Sequence, residues 1–577
     1  MSSVMKSLIF DIETNGLLLD VSKFWVGVTY CIETKEERVY YNAKSLAEDL
    51  NKATTIIGHN IIGYDIPALK ILSGIDITTP VVDTLLLAKL AYYDKDKSWS
   101  HSLDAYGERL GEPKGKHNDW SKYTQEMEVY CKQDVKVTYK LYKHLKRKTV
   151  WLPETALQLE QDVQKIVTKQ YLSGWKFNIQ EARRLHVELV QEKEDSEALL
   201  WKTFTPKFIP DGKLKEPKRP FKRNNIYTVG PHQPISLTSF NPGSGNHIVW
   251  WVEQALGKQE WDRTEKGNPK TDSATLQEMF NNEEFLKPLL HYLEVNKLLG
   301  QLAEGDKAWL KLVHTDGRLH GSMDILGTVS GRASHSNPNL GQIPSPRAYK
   351  GEESRELFTS ENGMVNVGAD LSGVELRCLA HYMYPYDKGR YANIILEGDI
   401  HTANKEAAGL ATRDQAKTFI YSVVYGGGDA KVGTIINGTA KDGKRLKTKF
   451  FKGTPGFKEL HSAVATAAKR GWIKGITGRR LYIRSSHSAL NTLLQSLGSY
   501  ISKYWMIEVY KRIEEEKLVC NQIGWIHDEL QFECKEDQAE ILMKILEESS
   551  ITACEKIGIR MPIHSEAKQG KNWKEVH

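Results

Sequence analysis

The sequence predicts an α/β multidomain protein, and three observations carry that prediction. Residues 1 to about 150 alternate short apolar strand patterns with amphipathic helices. Residues from about 151 to 300 are mostly helical by pattern, joined by polar and basic connectors. Beyond them, two apolar strand patterns deliver acids to their ends, Asp370 in the stretch 367–377 and Asp528 in the stretch 524–533. At 577 residues the chain has length for about three to four domains.

Composition sets the bounds. Hydrophobic content of 40% and charged content of 26% are ordinary for a soluble globular protein with sizeable cores. No run of about 18 apolar residues exists, so no membrane-spanning segment is expected. The first ten residues run straight into an acidic strand without a secretory apolar region. The six cysteines are scattered, with no Cys-x-x-Cys pair, which argues against structural zinc or a disulfide framework and fits a reducing cytoplasm. Net charge is +6, and the stretch 202–223 alone, with eight basic residues against two acidic ones, equals it. That stretch is either a solvated loop or a contact for a phosphate backbone.

In chain order, residues 7–13 form a strand whose period of two puts Asp11 and Glu13 on one face. Two carboxylates pointing the same way repel unless a cation sits between them, so the pair suggests a metal site. Residues 56–69 read as a second strand, a Gly-rich turn around Asn60, then Asp65 just before a helix started by Pro67. Tyr130 and Asp134 are four apart on a later helix and share a face. Asp11, Glu13, Asp65 and Asp134, with Tyr130 to position water, make a set suited to two-metal hydrolysis.

A turn at Gly174 leads into a short strand, charged helices follow over 181–201 and 284–302, and an Asp-Gly hairpin signal sits at 316–317. Residues 328–334 and 337–344 read as loops of small and amide side chains around Arg332, able to follow a nucleic-acid groove. Asp370 ends a strand ahead of a Ser-Gly turn and a helix; it is either a metal ligand or that helix's cap. The stretch 412–426 is the most specific helix. Thr412 and Gln415 form a capping box, and Arg413, Lys417, Tyr421 and Tyr425 recur every four residues before Gly426. Cations grading into aromatic rings on one face suit a nucleoside triphosphate. His487, Asn491 and Gln495 fall at successive four-residue steps, suited to minor-groove acceptors or to a polar solvent face. His527, Asp528 and Glu529 lie at the tip of a hairpin, and the chain ends in a polar tail with one aromatic anchor.

The set Asp11-x-Glu13, Asn60-x4-Asp65 and Tyr130-x3-Asp134 resembles the Tyr-bearing branch of the DEDD proofreading 3′→5′ exonucleases. Asp370-x4-Glu375, then Arg413-x3-Lys417-x7-Tyr425-Gly426, then His527-Asp528-Glu529 resemble motifs A, B and C of family A DNA polymerases, most closely the replicative enzymes of short-tailed bacteriophages. The resemblance implies an RNase H-like exonuclease domain over 1–150 followed by a right-hand polymerase. Its thumb would span 151–310, with the palm starting near 151–180. Palm with motif A would follow over 311–400, fingers over 401–480, and palm with motif C and the C-terminal tail over 481–577.

The resemblance further implies roles. Asp370, the Leu371 backbone and Asp528 would hold two Mg²⁺ ions in the polymerase site. Asp11, Glu13, Asp65 and Asp134 would hold two in the exonuclease site, with Mn²⁺ able to substitute. His401, Arg413 and Lys417 would hold the triphosphate; Tyr421, Tyr425 and Gly426 would shape the nucleotide pocket; Glu375 would reject ribonucleotides. Arg332 and His527 would touch the primer end and duplex, and His487, Asn491 and Gln495 the minor groove. Tyr421 implies ready use of dideoxynucleotides. Primer-template DNA and dNTPs are the implied partners, with a helicase-primase and a single-strand-binding protein as candidates and the infected bacterial cytoplasm as the setting. No 5′-nuclease pattern precedes the exonuclease set, so primer removal is not expected. The stretch 204–239 is short for the thumb insertion through which the best-studied phage relatives bind thioredoxin, which speaks against thioredoxin as a partner. A single-subunit RNA polymerase is the alternative enzyme, and Glu375 with the intact exonuclease set argues against it.

Overall fold

The computed structural model describes residues 6–577 except 96–97, 217–220, 224–225, 229, 265 and 281–282, and the backbone alone for 221–223 and 226–228. The chain forms two compact units. One comprises residues 1–176, 320–343 and 358–577; the other comprises 177–319 and 344–357.

The two largest sheets both lie in the first unit. The N-terminal sheet contains β1 (Ser7–Thr14), β2 (Phe24–Cys31), β3 (Glu37–Tyr40), β4 (Thr55–Gly58) and β5 (Val81–Asp83) in the order β3-β2-β1-β4-β5. β1, β2 and β3 pair antiparallel, while β4 and β5 join parallel. The alternation of β1 decides what covers each face. Phe10 and Ile12 pack with Leu46, Leu50, Ala68 and Leu69 of the helices Ala43–Leu50 and Asp65–Ser73. Ile9 packs on the other face, with Val26, Val28 and Ile57 and with Met127, Cys131 and Val135 of the helix Gln125–Lys148. Asp11 and Glu13 share the parity of Ile9, so they face the helix that carries Tyr130 and Asp134. A register shift at Glu13 and Thr14 locally re-aims the end of β1.

The second sheet comprises β6 (Met364–Leu371), β7 (Cys520–Ile526), β8 (Glu529–Lys535) and β9 (Ser565–Gly570), ordered β7-β8-β6-β9 and antiparallel throughout. Asp370 pairs directly with Glu529 across β6 and β8. The core beneath includes Val367, Ala369, Leu530 and Phe532 from the sheet, Leu376 and Leu379 from the helix Val374–Asp387, and Trp505 from the helix Ala489–Glu516. Ile62 and Leu86 belong to the same core, packed with Leu159 and Val163 of the helix Glu154–Ser173. Polar contacts reinforce that join: the Gln161 side chain accepts from the Asp83 backbone N–H at 2.8 Å, and Thr168 donates to the Ile62 carbonyl at 3.2 Å.

One ion-pair group is fully enclosed. Lys503 Nζ lies 2.6 Å from Glu160 Oε2 and also donates to the Ile325 carbonyl at 3.0 Å, while Arg479 lies 3.7 Å from Glu160 Oε1. Burial pulls the Lys503 ammonium below its usual range. Removing one partner from such a group leaves uncompensated charge in a low-dielectric interior. Glu160→Ala is therefore expected to cost about 3–5 kcal/mol, read as a lower midpoint in thermal or urea denaturation. An unchanged midpoint would mean that solvent reaches the two cations.

The second unit is mainly helical. Its core gathers Leu200, Phe204, Phe240, Trp251, Leu276, Leu289 and Tyr292, and includes parts of the helices Ile179–Thr203 and Lys287–Leu299. A two-stranded ribbon, Lys207–Pro210 with Ile235–Thr238, spans part of the short stretch noted in the sequence. Of the basic run 202–223, Lys218 and Arg219 lie outside the described residues, as do the side chains of Lys222 and Arg223.

Several local expectations need correction. Asp65 opens its helix rather than preceding it, while Pro67 sits in the first turn as expected. His487 lies in the 3-10 turn Ser486–Ser488, ahead of the helix that carries Asn491 and Gln495, so the three do not share one continuous helix face. The loops around Arg332 contain a small two-stranded pairing, Ser322–Asp324 with Ser334–Ser336. The polar tail is preceded by β9, a full member of the sheet.

Candidate active site

Two acid centres stand in the first unit. In the N-terminal one, Asp11, Glu13 and Cys131 bring ligand-type atoms within 4.8 Å of one another. The Cys131 thiol, lifted by burial, donates weakly to Asp11. Asp65 accepts from the Ile12 backbone N–H at 3.3 Å, which ties the start of its helix to β1. Asp83 holds the intervening loop by accepting from the backbone N–H groups of Asn60 at 3.0 Å and Ile62 at 3.1 Å. Burial lifts all four acids. Asp11 goes well above the carboxylate range, with repulsion from Asp134, Asp65 and Glu13 adding to burial. Glu13 rises to about 7 and Asp65 to about 8. Asp134 rises to about 6, held back by Lys114. Four acids that raise one another's affinity for positive charge form a set suited to cations.

Sequence reasoning missed two residues here. Lys114 Nζ lies 2.6 Å from Asp134 Oδ2, and Trp120 Nε1 donates to Glu13 Oε2 at 3.0 Å. Both come from an irregular loop between two helices, where no periodicity marks a side chain's direction. Tyr130 is half-buried beside them, its ring 4.7 Å from the Lys114 ammonium.

The second centre lies where β6 meets the β7–β8 hairpin. Asp370 is lifted to about 7 by burial first, then by Asp528 and by Glu529, its partner across the ladder. Asp528 is lifted by burial and by Glu375, with Arg332 and His527 opposing. The Leu371 backbone N–H donates to the Asp528 carbonyl at 3.2 Å, which locks the two strand ends together. His527 takes a left-handed φ of 60°, as the tight tip requires. Asp370 caps no helix: the following helix starts at Val374 with Gly373 as its N-cap, at a φ of 61°, and no side chain caps it.

Glu529 is buried and clasped from the C-terminus. Trp573 Nε1 donates to its Oε1 at 2.6 Å, and His577 Nδ1 lies 3.1 Å from its Oε2. This clasp joins residues more than forty positions apart and left no local trace in the sequence.

The helix Arg413–Val424 forms with the expected capping box of Thr412 and Gln415. Near its start, Arg413 Nε pairs with Asp399 Oδ2 at 2.7 Å. His401 is lowered by burial and then by Arg413, with Lys417 contributing, so its imidazole is favoured in the neutral form. At the far end, the Tyr421 and Tyr425 rings stack at 6.2 Å. The Tyr425 hydroxyl donates to Glu375 Oε1 at 3.1 Å, and Arg332 reaches the same oxygen at 3.7 Å. Gly426, at a φ of 76°, lets the chain pass the His487 carbonyl; a Cβ there would sit 2.5 Å from that oxygen. Asn491 and Gln495 are half-buried on the helix Ala489–Glu516, and Asn491 Oδ1 is enclosed without a partner among the described residues.

An acid pair on adjoining strand ends, with a helix graded from cations to aromatic rings whose Tyr425 reaches Glu375, suits nucleotidyl transfer. The family model described as DNA polymerase family A matches residues 225–575, and the chain belongs to that family. The DNA-directed DNA polymerase of Enterobacteria phage T3 is 34% identical over 704 aligned positions that cover 99% of this chain and 100% of that protein. The DNA-directed DNA polymerase of Escherichia phage T7 is 32% identical over the same shares. This chain's activity is accordingly that of a DNA-directed DNA polymerase. The alignments are longer than the 577 residues here, so those relatives carry segments without a counterpart in this chain. A solved structure titled as the POL domain of Pol1 from M. smegmatis in complex with DNA primer-template and dNTP has the same fold, with a TM-score of 0.81 at 19% identity over 99% of this chain and 96% of that one. Family A DNA polymerases use divalent metal ions. Among the described residues no helix is long and apolar enough to cross a membrane.

Proposed function

We propose that this polymerase replicates phage DNA from a primer 3′ end and proofreads its product with a 3′→5′ exonuclease. The observation that carries this is the presence of two separate acid centres, one on each of the two largest sheets. The β3-β2-β1-β4-β5 order supports an RNase H-like exonuclease domain over 1–150. The polymerase hand would comprise thumb (151–310, the palm starting near 151–180), palm (311–400), fingers (401–480), and palm with tail (481–577).

Both centres fit hard divalent cations, because carboxylate and backbone oxygens make up their donors, while burial keeps the Cys131 thiol protonated. The buried Asp134 Oδ1 also lacks a partner among the described residues. We assign two Mg²⁺ ions to each centre, replaceable by Mn²⁺. Asp370, the Leu371 carbonyl and Asp528 hold one pair; Asp11, Glu13, Asp65 and Asp134 hold the other. Bound there, the ions would activate the attacking oxygen and neutralise charge on the leaving one.

The protein's own groups do the rest. Lys417, His401 and Arg413 bind the triphosphate, Arg413 exchanging Asp399 for phosphate. Tyr421 and Tyr425 offer faces to the base. Glu375, held by the Tyr425 hydroxyl, fills the space beside the sugar C2′. Arg332 and His527 hold the primer end, and His487, Asn491 and Gln495 take minor-groove acceptors. In the exonuclease centre Tyr130 orients the attacking water. A cleft lined by Asp11, Asn60, Trp99, Thr328, Arg479 and Arg484 gives a single strand a route toward that centre. Partners are primer-template DNA and dNTPs, with a helicase-primase and a single-strand-binding protein as candidates; thioredoxin is not included, because the stretch 204–239 is short.

A primer with a mismatched 3′ nucleotide tests the reading. The protein should excise the mismatch before extending and should prefer deoxynucleotides, and Glu375→Ala should raise ribonucleotide use roughly 10²-fold. Extension straight through the mismatch without excision, or a ribonucleotide preference, would sink it.

A further inference from the structure

The loop 111–124 joins the helices Leu103–Leu110 and Gln125–Lys148 and reaches into the N-terminal acid centre. It is tied down on both sides. Gln133 Nε2 donates to the Pro113 carbonyl at 2.9 Å and to Glu112 Oε1 at 3.1 Å. Trp25 Nε1 donates to the Trp120 carbonyl at 2.9 Å. Between these anchors the loop delivers two side chains to the acids. Lys114 Nζ lies 2.6 Å from Asp134 Oδ2 and 4.7 Å from the centre of the Tyr130 ring, and its side chain is 21% exposed. Trp120 Nε1 donates to Glu13 Oε2 at 3.0 Å.

A compact ammonium on a fixed loop is a cation that does not diffuse away. It offsets part of the repulsion among Asp11, Glu13, Asp65 and Asp134, and it takes one oxygen of Asp134 while the other stays unpartnered among the described residues. A divalent ion that draws on Asp134 meets this charge at close range, and like charges in a partly buried site repel strongly.

We propose that Lys114 is a built-in counter-ion of the N-terminal acid centre, holding Asp134 in the absence of a divalent ion, yielding that oxygen when one binds, and so setting the centre's metal affinity. The inference rests on the exonuclease reading above. Lys114 is on this view a positioning residue, acting through Asp134.

Mn²⁺ binding followed by electron paramagnetic resonance tests it, on the full chain carrying Asp370→Asn and Asp528→Asn so that the polymerase acids do not contribute. Lys114→Met is expected to bind Mn²⁺ about tenfold more tightly than Lys114, a difference of about 1.4 kcal/mol. Lys114→Gln keeps a hydrogen bond to Asp134 without the charge, and should tighten binding similarly if the Met variant folds poorly. Lys114→Arg should retain the original affinity. In chelator, Lys114→Met should melt at a lower temperature, and added Mn²⁺ should raise its midpoint by more than it raises that of the Lys114 protein. Unchanged or weaker Mn²⁺ binding in both the Met and Gln variants would overturn the inference. A Mn²⁺ signal that survives Asp11→Ala with Glu13→Ala would overturn the exonuclease reading, and the inference with it.

Discussion

Replacing Asp528 by Ala is expected to lower template-directed extension by roughly 10³-fold or more while leaving single-strand excision intact. Asp528 sits at the hairpin tip between β7 and β8, where its backbone carbonyl accepts from Leu371 N–H and its charge adds to the burial that lifts Asp370 to about 7. In the proposed reading both acids hold the same pair of ions, so removing one leaves the other unable to fix their geometry. The tip itself should survive. Its fold depends on the β-ladder and the left-handed His527, and neither needs the Asp528 carboxylate. The measurement is single-turnover extension of a primed template beside excision of a single strand, with the melting midpoint as a check on folding. Extension within about tenfold of the unmodified protein would remove Asp528 from the catalytic set.

The second large effect is the converse. Asp11→Ala with Glu13→Ala is expected to lower excision by roughly 10³-fold or more and to leave extension of a matched primer unchanged. The two acids lie on the face of β1 covered by the helix Gln125–Lys148, on the other sheet from Asp370. Both substitutions shorten side chains on a strand that pairs through its backbone. They also relieve repulsion at buried positions, so the N-terminal sheet should tolerate them. Mismatched primers should then be extended with the error retained. Undiminished excision would place the nuclease chemistry elsewhere.

Features written in local chemistry were legible in the sequence. The capping box of Thr412 and Gln415 needs only a spacing of three, and the faces of β1 and of the Arg413–Val424 helix follow from their periods. The pairing of Asp370 with the hairpin at Asp528 is different. It rests on a β-ladder that pairs Asp370 with Glu529, 159 positions on, and only the resemblance to a family brought the two together. A four-residue spacing continues smoothly from an α-helix back into a 3-10 turn, so nothing in the sequence separates His487 from the helix of Asn491 and Gln495. Lys114 and Trp120 left no signal at all. An irregular loop has no period, and its direction is set by the distant anchors Trp25 and Gln133. Glu529 reads in the sequence as one acid of a tip, whereas Trp573 and His577 make it a buried bracket for the end of the chain.

The core that Ile62 and Leu86 share with Leu159, Val163 and the second sheet bears on how the polymerase and the proposed nuclease can be taken apart. Cutting away the first 150 residues would strip apolar cover from the helix Glu154–Ser173 and leave Gln161 and Thr168 without the backbone groups of Asp83 and Ile62. The truncated remainder would present a sticky face to every other copy in solution. A nuclease-deficient reagent for sequencing or mutagenesis is better sought by changing side chains than by removing the segment that bears them.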